Sequence, residues 1–257
     1  MDFGLNNARV LVTGERGAQV LAQYNTNKAA FDTLLQRYPD DLSLVQADIT
    51  LESDVQRIYD NVPFDSPIQI LVLGHGLWPT TDIPMADMTL EHWNRTLNVN
   101  LTSNFLLSRG FLKALRGATD AQKSIANIIS IGSTAGKYGE ANHADYASAK
   151  SAIMYGFTLS LKNEIVKIAP RGRINCIGPG WVKTPMAEEA MKDRAVVYRS
   201  LATTPLKKIA DAIDIATQVL VLSSPTLSGH VTGQVLMVEG GMEGTLLNHP
   251  EDVELPP

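Results

Sequence analysis

Ile125-Ala-Asn-Ile-Ile-Ser-Ile131 is an apolar run of strand length that stops at Gly132-Ser133, and beyond it Tyr146-Ala-Ser-Ala-Lys150 follows in helical spacing. An apolar run of this length closed by a glycine reads as a strand buried on both faces, with the helix after it as the crossover to the next parallel strand. The unit recurs on both sides. Upstream, residues 8–14 and 18–24 read as strands, 28–38 as a helix capped near Thr26-Asn27 and closed by Pro39, 42–49 as a third strand, 54–59 as a helix and 68–73 as a fourth strand. A helical stretch over 90–115 leads back to the opening run. Downstream come a helix over 144–168, a strand over 173–177, a helix over 209–223 and a last strand over 234–239 closed by Gly240-Gly241. Short apolar strands alternating with helices predict a doubly wound α/β fold: a mostly parallel, seven-stranded sheet with helices on both faces.

The alternation fails once. Only Glu15-Arg16-Gly17 separate the first two strands, whereas a parallel neighbour takes a crossover of about a dozen residues or more. The first βα unit is therefore truncated: either about fifteen residues of a first helix are missing after Gly14, which Arg16-Gly17, reading as the end of such a helix, favours, or the second strand is rearranged or unpaired as a parallel neighbour and the pyrophosphate site is broken.

The 257 residues, 44% hydrophobic and 19% charged, suffice for one core, and no repeat or linker marks a second. One domain is expected over 1–247, followed by a polar, proline-rich tail over 248–257 that extends over the surface or a partner subunit. A net charge of −5 argues against nucleic acid or an anionic membrane as partner, since both ask for a basic face. The single cysteine, Cys176, has no disulfide partner and no metal-ligand spacing around it, which points to a reducing compartment, to no metal site and to a small buried strand residue. With no signal-like N-terminus and no apolar stretch of about 18 residues, a soluble, cytoplasmic protein is expected.

Tyr146 and Lys150 stand at i and i+4, so a helix sets them on one face of a single pocket. A phenol is a poor acid or base at neutral pH unless a cation brings its pKa down, and Lys150 is the cation at hand. Ser133 can hydrogen-bond the same substrate oxygen. Ligands of open sheets bind at the carboxyl ends of strands, and Thr13-Gly14, Asp48, Gly74-His75-Gly76, Ser133 and Pro179-Gly180 all fall at such ends.

These residues have a common likeness. Asp48-Ile49, Asn98-Val-Asn100-Leu, Ser133-Thr-Ala-Gly136, Tyr146-Ala-Ser-Ala-Lys150, Pro179-Gly180 with Thr184-Pro185, and Thr232-Gly-Gln with Val238-Glu-Gly-Gly241 stand in order and spacing. From its first strand to Gly241 the chain resembles the short-chain dehydrogenase/reductase family, and within it the 3-oxoacyl-carrier-protein-reductase-like members, whose fold is Rossmann-like. The resemblance implies a carbonyl–alcohol oxidoreductase. Tyr146 is then the general acid, Ser133 holds the carbonyl oxygen, Lys150 lowers the tyrosine's pKa and binds the nicotinamide ribose, and Asn100 anchors a water that relays protons to the lysine. The implied cofactor site runs through Thr13, Gly14, Tyr24, Asn25, Asp48, Ile49, Gly74, His75, Gly76, Tyr146, Lys150, Pro179, Gly180, Val182 and Thr184. Family relatives that prefer NAD carry an acid at the end of the second strand; here Tyr24-Asn25-Thr26-Asn27 offers none and Lys28 is near, which favours NADP over NAD.

Two positions depart from the family. The fourth-strand signature is Leu73-Gly-His-Gly76, with glycines where the cofactor approaches but no bracing asparagines. His75 there reads as a packing or hydrogen-bonding residue rather than a base, because Tyr146 fills that role. The glycine-rich turn that cradles the pyrophosphate is reduced to Thr13-Gly14, its later glycines falling on Ala18 and Val20. That loss supports a rival reading, a cofactor-defective binding or scaffold protein of the same fold. Trp78, Asn142, Trp181 and Met186, with Ile83, Glu140 and His143, are expected to form the wall for a small carbonyl or alcohol substrate, free or carrier-bound. Met186, Met191 and Leu201 lie in a stretch with few helix signals, read as a mobile lid. The long helices over 90–115 and 144–168 carry more apolar surface than one sheet face covers, and the resemblance implies a homotetramer or homodimer packed through them.

Overall fold

The computed structural model describes residues 9–12, 19–62 and 67–246. Seven strands form one sheet: β1 (Arg9–Val12), β2 (Gln19–Tyr24), β3 (Leu42–Gln46), β4 (Ile70–Leu73), β5 (Asn127–Ile131), β6 (Arg173–Pro179) and, after the short pair β7 (Val182–Lys183) and β8 (Ala210–Asp211), β9 (Val235–Val238). Their order is β3-β2-β1-β4-β5-β6-β9, and every pairing is parallel. After β3 the chain crosses to β4, so the order reverses beside β1 and opens a crevice at the strands' carboxyl ends.

Helices cover both faces. They are α1 (Asp32–Arg37), α2 (Glu52–Asp60), α3 (Leu90–Leu97), α4 (Ser103–Arg116), α5 (Asp120–Lys123), α6 (Thr134–Tyr138), α7 (Ala144–Ser151), α8 (Thr158–Ile165), α9 (Arg194–Ala202), α10 (Ala212–Ser223) and α11 (Pro225–Ser228). The two-residue alternation of β5 shows the layering. Ile128 joins Val55, Ile58, Leu107, Phe111 and Ile165 on the α2–α4–α8 face, and Ile129 joins Val20, Ile70, Val72 and Ile177 below Leu222 and Val219 of α10. Strand side chains also close the far end of α10. Arg173 donates from Nη1 to Leu222 O (2.7 Å) and from Nη2 to Ser223 O (3.1 Å), and Asn127 Nδ2 donates to Leu222 O (2.9 Å), satisfying carbonyls that the helix leaves open.

The second strand corrects the expectation drawn from its short link. β2 pairs in parallel with β1, Arg9 level with Gln19, and equally with β3. β1 ends at Val12 and β2 begins at Gln19, so six residues, 13–18, join them; they lie outside the described residues. Val20 and Ala22 are buried in the core, and the ladder to β3 runs from Val20 to Tyr24. The tail over 248–257 also lies outside the described residues.

Both long helices are interrupted. A π segment over Asn98–Thr102 joins α3 to α4, and another over Ala152–Phe157 joins α7 to α8. Wider turns loosen backbone bonds, and side chains take them up: Ser103 Oγ donates to Val99 O (2.6 Å), Asn104 Nδ2 to Asn100 O (2.6 Å) and Thr158 Oγ1 to Ile153 O (2.7 Å). Leu201, placed by sequence in a segment with few helix signals, is instead in α9, whose Asp193 cap accepts from Ala195 N at 2.8 Å.

Candidate active site

The carboxyl ends of β4, β5 and β6, the first turns of α6 and α7, and the loop after β6 enclose a cleft of about 470 Å³. Ser133 enters from β5 as the N-cap of α6, its Oγ accepting from Ala135 N at 3.1 Å. Tyr146 and Lys150 enter from α7 one turn apart, the ammonium 5.7 Å from the tyrosine ring centre. Lys150 is buried and donates to Ile131 O at 2.8 Å, which fastens α7 to the end of β5. Gly76 packs closely against this pair: a Cβ there would lie 3.1 Å from Asn100 Oδ1 and 3.3 Å from Lys150 Nζ.

The electrostatics correct one expectation. Lys150 does not bring the tyrosine down. Burial pushes Tyr146 up to about 12, with Glu140 adding to the rise and a hydrogen bond from the Ser133 side opposing it. Burial pulls Lys150 down to about 8. Desolvation of the phenolate is the largest of these effects, and the ammonium beside the ring brings no lowering. At neutral pH Tyr146 is therefore a phenol.

Asn100 also has a duty other than the one expected. It is fully buried; Oδ1 accepts from Leu77 N (2.9 Å) and Nδ2 donates to Leu77 O (2.8 Å) and Thr96 O (3.0 Å). It clamps the turn after β4 against the π segment. His75 is a bracing residue, as its reading suggested. Its Nε2 lies 2.6 Å from Ser103 Oγ, and burial with the Lys150 charge lowers its pKa to about 3, so the ring is neutral.

On the outer wall Trp78 stacks on His143 at 4.9 Å and meets Trp181 edge-on at 6.1 Å. Trp78 Nε1 donates to Glu140 Oε1 at 3.2 Å. Met186 lines the cleft, together with Ala187, Met242 and Thr245, which sequence reasoning missed. The glycine turn after β9 was the available signal for Met242, whose carbonyl accepts from Tyr138 Oη at 2.6 Å. Asn142 is a correction. It takes a left-handed φ of 66°, its carbonyl accepts from Ile83 N and its amide faces Asp82, so it shapes the loop behind the wall and does not line the cleft.

The residues fit a nicotinamide dinucleotide at one end. Gly74, His75, Gly76, Lys150, Pro179, Gly180, Val182 and Thr184 line the catalytic cleft, and Gly180 leaves space that a Cβ would fill, 3.1 Å from Glu239. A second hollow, lined by Asn25, Asp48, Thr50, Glu91, Asn94, Arg95, Asn98 and Val99, opens at the ends of β2 and β3 where an adenosine half would lie. Asp48 braces it through an Asx turn, Oδ1 accepting from Thr50 N at 2.9 Å. The side chain of Ile49 turns into the core, and Tyr24 is not part of the hollow. Thr13 and Gly14 lie outside the described residues.

The comparisons agree with this geometry. A family model described as enoyl-(acyl carrier protein) reductase matches residues 4–243. The 3-oxoacyl-[acyl-carrier-protein] reductase FabG of Vibrio harveyi is 31% identical over 243 residues, 93% of each chain, and the corresponding reductase MabA of Mycobacterium avium is 30% identical over 91% of this chain and 89% of its own. Among solved structures, a protein assigned as a gluconate dehydrogenase from Agrobacterium tumefaciens superposes with a TM-score of 0.79 at 26% identity, covering 88% of this chain and 86% of that one. With the sheet order, the cleft and these matches in agreement over nearly the whole chain, the protein belongs to the short-chain dehydrogenase/reductase family.

Proposed function

We propose that the chain is an NADPH-dependent oxidoreductase that interconverts a small carbonyl compound and its secondary alcohol. The observation that carries this reading is the convergence of Ser133, Tyr146 and Lys150 at one cleft with the tyrosine held as a phenol at neutral pH. A nicotinamide bound along the strand ends supplies hydride, which no side chain can. The protein's own part is to hold the carbonyl oxygen between the Ser133 and Tyr146 hydroxyls and to pass the Tyr146 proton to it as negative charge develops. Lys150 orients the ribose and stabilises the tyrosinate left behind. Trp78, Trp181 and Met186 exclude water.

NADP is favoured over NAD because residues 24–27 hold no carboxylate to repel a 2′-phosphate. Exposed Phe105, Tyr155, Leu159 and Val166 on the α4 and α8 side, with Leu227 and Leu236 near β9, support a homotetramer or homodimer. Among the described residues no helix is long and apolar enough to cross a membrane, and the free, buried Cys176 suits the cytoplasm. The relatives' carrier-bound substrates make acyl-carrier delivery one route to the cleft; Arg109 is not free to guide it, being paired with Glu52.

Titration of the protein with NADPH, followed by nicotinamide fluorescence, and with carbonyls at saturating cofactor tests this. Binding in the micromolar range with carbonyl-dependent oxidation is expected. No binding up to millimolar NADPH would leave the second reading, a protein of this fold without dinucleotide affinity, which the six-residue link between β1 and β2 favours.

A further inference from the structure

The lining of the catalytic cleft contains one carboxylate, Glu140, and one cation, Lys150, whose ammonium faces Ile131 O and Gly76 at the cofactor end. No arginine lines it. Glu140 is aimed there by the backbone. Gly139, at φ 78°, ends α6 in a left-handed conformation, and nothing lies within 4 Å of where its Cβ would be, so conformation and not space asks for glycine. The turn sends residue 140 into the wall beside the reacting group, close enough that its charge bears on Tyr146.

One carboxylate oxygen, Oε1, accepts from Trp78 Nε1, and Oε2 has no hydrogen-bond partner among the described residues. The charged and titratable groups around it are His143, Asp82, Asp145 and Tyr146. His143 turns Nε2 to Pro79 O at 2.8 Å, Asp82 is exposed, and buried Asp145 faces His92 at 3.2 Å, so none of them claims Oε2. Burial raises the pKa of Glu140, while the His143 charge and the Trp78 hydrogen bond oppose the rise.

We infer that Glu140 is a specificity-determining residue whose free oxygen accepts a hydrogen bond from a donor group next to the substrate carbonyl, a hydroxyl or an amine, and turns away substrates with a carboxylate there. This rests on the reductase reading above and deepens it. The preferred substrates are uncharged or cationic α-functionalised ketones with a flat or apolar body against Trp78 and Trp181. A keto acid or sugar acid presents like charge to this half-buried carboxylate, which no lysine or arginine of the cleft lining neighbours.

Three ketones of nearly one shape separate the possibilities: 2-hydroxyacetophenone, propiophenone and phenylglyoxylate, with 2-aminoacetophenone distinguishing amine from hydroxyl. For the native enzyme kcat/KM is expected to favour the hydroxyl over the ethyl compound by about 10-fold and over the carboxylate by about 100-fold. In Glu140→Gln the amide oxygen stays on Trp78 Nε1 and the NH2 faces the cleft, so the order between hydroxyl and carboxylate reverses. Quenching of tryptophan fluorescence by the same ketones reads the preference without turnover, so an inactive protein still decides the matter. An order unchanged by the substitution in both readouts overturns the role of Glu140; absence of NADPH binding in the native protein with the order reversed in fluorescence overturns the reductase reading and leaves Glu140 only as the selector of what the cleft binds.

Discussion

Asn100→Ala tests whether the asparagine is a clamp. The side chain is fully buried and makes three hydrogen bonds, one from Leu77 N and two to Leu77 O and Thr96 O, at 2.9, 2.8 and 3.0 Å. Each is worth about 1 kcal/mol net, and the orphaned Leu77 groups cost up to about 1–3 kcal/mol each where water does not replace the amide. The expected loss is about 3 kcal/mol. At this chain length that corresponds to a fall in Tm of about 6–12 °C. Asn100→Asp keeps the acceptor for Leu77 N but sets a second oxygen against two carbonyls in a site without solvent, so it is expected to be at least as damaging. Urea unfolding with matched slopes measures the stability, and NADPH binding together with kcat/KM reports whether the turn at Gly76-Leu77 has moved. Activity is expected to fall in step with disorder of that turn. If Asn100→Ala unfolds within about 1 kcal/mol of the native protein while losing turnover, the asparagine acts in proton transfer and the clamp reasoning is wrong.

Three further outcomes are expected. Burial holds Lys150 near 8 against an ordinary 10.5, so between those values the unfolded chain binds the additional proton and stability rises with pH; below 8 the full cost stands. Lys150→Met is then inactive yet up to about 3 kcal/mol more stable at pH 7, with the margin shrinking by pH 10; lower stability at pH 7 in urea titrations contradicts this. Gly110→Ala places a Cβ 2.3 Å from the Tyr59 ring, which its bond to Leu107 O holds in place. Overpacking of about 1–3 kcal/mol then exceeds the helix propensity gain of about 1 kcal/mol, and a raised Tm would refute it. His92→Ala removes the ring whose Nε2 lies 3.2 Å from Oδ2 of buried Asp145, a side chain whose oxygens make no hydrogen bond among the described residues, at a cost of about 1 kcal/mol. Adding Asp145→Asn is expected to recover part of that loss, and simple additivity would show that the pair does not interact.

Much of this was legible in the residues. The runs at Ile125 and Arg173 are buried on both faces, although the second carries Arg173 and Asn175, and the glycine after each marks a strand end where ligands gather. The i, i+4 spacing of Tyr146 and Lys150 placed both in one cleft. What was not legible depends on contacts between distant segments. The pairing of β2 shows in its ladders to β1 and β3 and in the burial of Val20 and Ala22, which the length of the link before it does not report. The π segments leave no mark in a hydrophobic period, although Ser103 and Thr158 just after them supply the side-chain bonds. Asn142 turns away from the cleft because of its left-handed φ, and the pKa of Tyr146 follows its burial, which a spacing rule does not report.

Single-turnover reduction by Tyr146→Phe at saturating NADPH tests the central claim most directly. The ring and its packing are kept and only the proton donor is removed. Cofactor affinity is expected to stay within about 3-fold of the native protein while the reduction rate falls by about 1,000-fold, the middle of the range for loss of a general acid. A rate within about 10-fold of the native value, with cofactor bound normally, would show that the proton comes from another group and that the phenol is only part of the wall.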